Sequence, residues 1–124
     1  MSNYQGLNYT KDYKVVKNLS TIVENRTYSY RIIKSQFISS QGDMVQAYGI
    51  EAERTDSVDK EVIEIERAGI EYISPDLHKV SNLLLKLHDN NVSPIHLTDV
   101  LGEYVDDYTS DFNNFSIKNA SNAN

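Results

Sequence analysis

The chain predicts an α+β fold: an antiparallel four-stranded β-meander followed by an αα-hairpin packed on one face, in two layers. Three observations carry this expectation. Apolar and polar residues alternate with a period of two through the middle of the chain. From Ser74 onward the apolar spacing changes to three and four residues. The connections are short, which favours antiparallel neighbours, and strands followed by helices indicate α+β order.

The first strand is expected from Val15 to Glu24, where Val15, Leu19, Ile22 and Val23 are apolar and Asn25-Arg26 forms a turn. The second, Thr27 to Lys34, is rich in aromatic and β-branched residues, with Tyr28, Tyr30 and Ile32 on one face and Ser29 and Arg31 on the other. Ser39-Ser40-Gln41-Gly42-Asp43 breaks the chain. The third strand, Val45 to Arg54, alternates Tyr48, Ile50 and Ala52 against Glu51 and Glu53. A loop from Thr55 to Lys60 leads to the fourth, Glu61 to Ile73, in which Ile63 and Ile65 alternate with Glu64 and Glu66. Ala68-Gly69 interrupts this strand as a bulge would.

Ser74-Pro75-Asp76 opens a helix: a capping serine, a proline suited to the first turn and an early acid. Leu77, Val80, Leu83, Leu84 and Leu87 make its apolar stripe, and Asn90-Asn91 ends it. Ser93-Pro94 repeats the opening for a second helix, which either Ser93 or Thr98 caps and Asp99 supports in its first turn. The domain boundaries follow: a flexible N-terminal arm over residues 1–12, one α+β domain over 13–108, and a polar, Asn-rich tail over 109–124 in which Phe112, Phe115 and Ile117 are the residues able to dock.

Composition narrows the function. In 124 residues, 40% apolar content supplies one core, and the chain has no cysteine for disulfides or thiolate zinc sites. A net charge of −6 opposes nucleic-acid and anionic-membrane binding. No apolar run is long enough for a membrane span or a secretory signal, so the expected location is cytoplasmic. Two helices across NNVSP suggest a helix–turn–helix, but Leu87 to Ile117 contains no Lys or Arg and six Asp or Glu residues. Phosphates would repel such a reader. The five glycines are too scattered for a nucleotide loop, and no cofactor is expected.

The stretches YGIEAER, VIEIERAGIEYISPD and NNVSPIHLTDVLGEY resemble a family of small, uncharacterised proteins from spore-forming Gram-positive anaerobes, over about Val15 to Tyr104. The resemblance implies no activity and assigns no site residue.

Two constellations remain. His96 and Asp99, three residues apart, share a face if both stand on one helix, as a general base and its orienting carboxylate would. His88, from the preceding helix end, makes His88 and His96 the metal candidates. The ordinary alternative is a capping Asp99 beside a turn histidine. Glu51, Glu53, Glu64 and Glu66 form a carboxylate ladder on one sheet face if strands three and four pair, with Arg31, Lys34, Arg54 and Arg67 available to neutralise it. With Leu101 and Tyr104 of the acidic second helix, these glutamates are the expected contact residues. The leading expectation is a small non-enzymatic protein-interaction or regulatory module, with an unidentified protein partner and a homodimer invited by open sheet edges. A His/Asp-dependent or metal-assisted hydrolase and a small-ligand-binding domain with a Tyr-lined cleft are the alternatives.

Overall fold

The computed structural model describes residues 14–122, so the expected arm over residues 1–12 lies outside the described residues. Four strands, β1 (Lys14–Val23), β2 (Arg26–Ile38), β3 (Met44–Val58) and β4 (Glu61–Ser74), precede two helices, α1 (Leu77–Asp89) and α2 (Leu97–Asn122). The strands lie in sequence order and each pair is antiparallel, so among the described residues the sheet is an open meander with β1 and β4 as its edges. The architecture is the α+β arrangement expected.

Tyr28, Tyr30 and Ile32 of β2 share the helix-bearing face with Ile50 and Ala52 of β3, and Leu83, Leu84, Leu87, Leu97 and Leu101 close over them. The Tyr30 hydroxyl is buried and donates to the Val92 carbonyl at 2.8 Å, which pins the connection between the helices to the sheet. Tyr28 and Tyr30 are buried in this core with the leucines of both helices. Tyr48 is half-buried, while Tyr72 is exposed and lies against Phe37, whose ring also meets Phe112 of α2 edge-on. Toward the far end of the β2–β3 hairpin burial extends to the alternate face, where Ile33, Ser35, Val45 and Ala47 are out of water.

Several boundaries differ from expectation. β3 continues through the expected 55–60 loop to Val58, because Arg26 holds Asp56 across the strands and only Asp59-Lys60 remains as the turn. Both turn residues have positive φ, 52° and 69°, the geometry of a type I′ hairpin. Gly69 sits in regular register opposite Glu51 rather than at a bulge. The irregularity lies higher, between the Tyr48–Ser74 and Ile50–Ile70 pairs, where β4 carries two extra residues. Gly49 faces that insertion so closely that a Cβ would stand 2.1 Å from the Ile70 carbonyl oxygen and 2.2 Å from that of Glu71.

At the start of α1 the cap is Asp76, whose carboxylate accepts from the His78 N–H at 2.9 Å, while Ser74 Oγ accepts from the Asp76 N–H at 3.0 Å. Ser93 precedes a 3₁₀ turn, Pro94–His96, and makes no side-chain cap. The second helix runs past residue 108 into the Asn-rich segment where a polar tail is expected. Phe112 against Phe37 and Asp111 against Lys79 and Ser74 anchor its middle, contacts that weak local propensity does not disclose.

Candidate functional site

The β1–β2 and β3–β4 turns lie at the same end of the sheet, as any two turns separated by one strand pair must. The Ser57 N–H donates to the Asn25 carbonyl at 2.8 Å and holds the two turns side by side. Between them lies a half-open groove of about 470 Å³, lined by residues of both turns and of their flanking strands. Tyr28, Arg26 and Asp56 form its polar floor, and Val23, Val58 and Ile63 form apolar walls. These three aliphatic side chains are 43%, 49% and 61% exposed, and Ile22 and Val62 beside them are exposed as well.

The floor is held by charge. Arg26 grips Asp56 with two N–H groups, at 2.7 and 3.3 Å. That contact, more than any other, holds the Asp56 carboxyl below its usual range, and a further hydrogen bond from Arg26 draws the Tyr28 phenol down. Next to it Arg54 reaches Asp56 at 3.4 Å, Glu64 at 3.0 Å and Glu66 at 3.1 Å, while its Nε is buried without a hydrogen-bond partner. Arg26 and Asp56 therefore meet the groove as a bidentate ion pair.

The register corrects the expected carboxylate ladder. Glu53 stands opposite Arg67, and Arg54 opposite Glu66. Residues opposite each other share a face, so Glu51 and Glu53 lie on one face while Glu64 and Glu66 lie on the helix-bearing face beside the groove. On the first face Arg31 bonds both Glu51 and Glu53, and Arg67 bonds Glu53 at 2.6 Å. Arg31, Arg54 and Arg67 thus do neutralise the glutamates, in two separate sets. Burial opposes ionisation of Glu53, but the bonds from Arg67 and Arg31 outweigh it and lower its titration. Glu51 is almost wholly buried; burial first, then the charge of Glu53, pushes its carboxyl up to about 7.

The histidine candidates are dispersed. His96 ends the 3₁₀ turn and Asp99 lies in the first turn of α2, so they do not share one continuous helix; both are exposed and neither makes a side-chain hydrogen bond among the described residues. His88 is occupied elsewhere: Nε2 meets Thr21 Oγ1 at 2.8 Å, Nδ1 meets Asp89 at 3.3 Å, and the ring stands edge-on to Tyr30. Among the described residues no three His, Asp or Glu side chains group in a way that could hold a metal ion. Leu101 is fully buried in the core, which corrects its expected place on a contact surface: it faces the sheet, not water. Tyr104 is half-buried at the core margin, with the Lys86 ammonium 5.6 Å from its ring centre.

In the sequence Val23 and Ile63 stand out only as strand positions and Arg26 as a turn residue, and none of Arg26, Asp56, Val23, Val58 and Ile63 is marked there as a site residue. The signal for them was available: two short turns one strand pair apart, each flanked by aliphatic residues.

A small open-sheet α+β domain with a walled groove at its hairpin end is the class these features define. The chain belongs to a family described as a family of unknown function, DUF6514, whose model matches residues 5–107. No curated protein and no solved structure matches it. Among the described residues no helix is long and apolar enough to cross a membrane.

Proposed function

We propose that this chain is a small, non-enzymatic, cytoplasmic interaction module that holds a protein partner in the groove between its two turns. One observation carries the reading: Val23, Val58 and Ile63 stand exposed around a floor immobilised by the Arg26–Asp56 pair. Apolar side chains left in water beside a rigid polar base suit a partner's apolar anchor surrounded by a polar rim. Glu24 in the lining and exposed Glu64 beside it make the rim acidic, so the partner surface would offer an aliphatic side chain flanked by Lys or Arg. The same charge speaks against a nucleic acid or an anionic membrane as the partner. The resemblance noted above would place such a module in a spore-forming anaerobe.

A small molecule is the second reading, favoured by the groove's volume, which falls within the roughly 300–1,000 Å³ of ligand sites. The test is capture from native cytoplasm with wild type and a Val58→Asp/Ile63→Asp variant whose fold is checked by circular dichroism. The captured protein is then purified and titrated against both forms. Loss of at least tenfold in affinity on the variant supports the groove. Equal affinity moves the contact elsewhere on the domain. Capture of nothing by wild type overturns the module.

A further inference from the structure

We propose that the β1 edge joins two copies of this chain about a twofold axis, continuing the sheet from one copy into the other. This inference does not depend on the groove.

Among the described residues no strand pairs with the outer side of β1, where a row of backbone N–H and C=O groups faces away from β2. Natural edges are usually blunted by charge, and the two edges here differ sharply in that respect. The open half of β4 carries Glu61, Glu64 and Glu66 within six residues, which concentrates like charge against a second β4. Within its ten residues β1 carries only Lys14 and Lys17, and leaves Val15 and Ile22 52% and 74% exposed.

The strand is also complementary to itself. Pairing two antiparallel copies about Leu19 sets Lys17 opposite Thr21 of the second copy, and Asn18 opposite its Ser20. Leu19 is half-buried and opposite Tyr30, so the two Leu19 side chains would extend the helix-bearing core across the junction. The register of β1 against β2 slips between Val15 and Lys17, making Val16 the bulged residue. That slip carries Val15 to the face of Ile22, and the twofold pairing then sets Val15 against Ile22 of the second copy on both sides of the axis. The same register sets Lys14 opposite Val23 of the second copy, at each end of the joint. A bulge at the margin bends an edge but leaves Lys17 to Val23 as a straight ladder.

The alternative occupant is β4 of another copy, which Lys14 and Lys17 would attract. That contact is head-to-tail and does not close, so it builds filaments instead of a dimer.

The test is light scattering behind size exclusion over a wide concentration range, on the full chain. A closed species of twice the chain mass is expected, and Val15→Lys/Ile22→Lys should weaken it at least tenfold while the far-ultraviolet spectrum is kept. Because the chain has no cysteine, Leu19→Cys provides an independent readout: mild oxidation should link two chains, whereas Met44→Cys, exposed on another strand, should not link. A monomer at all concentrations overturns the proposal. So does a dimer indifferent to the lysines, a Leu19→Cys form that never cross-links, or a mass that grows without limit.

Discussion

Replacing Gly49 with alanine tests the packing of the sheet at its tightest point. The added methyl would sit 2.1 and 2.2 Å from two carbonyl oxygens and 2.5 Å from the Glu71 carbonyl carbon. All three belong to backbone, so no side chain can swing aside. Relief demands that the two-residue insertion in β4 move by about 1 Å, which breaks pairing where β4 turns toward α1. Overpacking ordinarily costs roughly 1–3 kcal/mol, and backbone contacts this close put the expected loss at about 3 kcal/mol or more. For a domain of this size that lowers the midpoint of thermal unfolding by roughly 10 °C or more. Gly102 supplies the control: nothing lies within 4 Å of its Cβ position, and it stands inside α2. Gly102→Ala should therefore stabilise, by roughly 0.5–1 kcal/mol of helix propensity. Urea and thermal melts followed by circular dichroism measure both. A Gly49→Ala protein within about 0.5 kcal/mol of wild type would refute the close approach, and equal losses from both substitutions would show that chain flexibility, not space, governs these positions.

Glu51 titrates near 7 in the fold against 4.5 as a free side chain, so the native state binds the proton more tightly and stability falls as pH rises through that interval. Glu51→Gln gives up the ion pair with Arg31 but should remove up to about 3 kcal/mol of that dependence, so the variant compares better with wild type at pH 8 than at pH 5; parallel stability profiles would contradict it. Lys60 holds φ at 69° in the β3–β4 turn, so Lys60→Gly should raise stability by up to about 1 kcal/mol in urea titration. Leu101→Ala opens a cavity under α2 and should cost about 2–5 kcal/mol, whereas His96→Ala, at an exposed position, should leave stability within about 0.5 kcal/mol of wild type.

How much of this was legible depended on distance along the chain. Alternation in Tyr28, Tyr30 and Ile32 and the leucine spacing in α1 are local properties, and they identify the core face directly. Register between strands is not local. Within β3 the alternation of Glu51 and Glu53 was read correctly, and likewise Glu64 and Glu66 within β4. Which pair faces which way across the hairpin depends on a shift near Ser57 and on Arg54 sitting opposite Glu66. One residue of slip moves a glutamate to the other face, so the four carboxylates were joined where the fold divides them. The groove escaped for the same reason: Val23 and Ile63 are 40 positions apart in the chain and meet only once both turns are formed. His96 and Asp99 were paired on spacing alone, and spacing does not disclose exposure: both side chains stand in water at the helix start.

The meander order has a kinetic consequence. Each strand pairs with the next along the chain; two of the three connections are two-residue turns and the third spans only residues 39–43. Little loop entropy is lost before each pairing is rewarded, so hairpins of this kind can form in succession as the polypeptide emerges during synthesis. The helical hairpin arrives last and seals a surface already assembled. Refolding from urea is then expected on the order of milliseconds, with β2–β3 pairing in the transition state. The anchoring of α2 through Asp111 and Phe112 would form later and govern the rate of unfolding. A sheet that can be built one strand at a time also leaves each growing inner edge bare only until the next strand of the chain arrives.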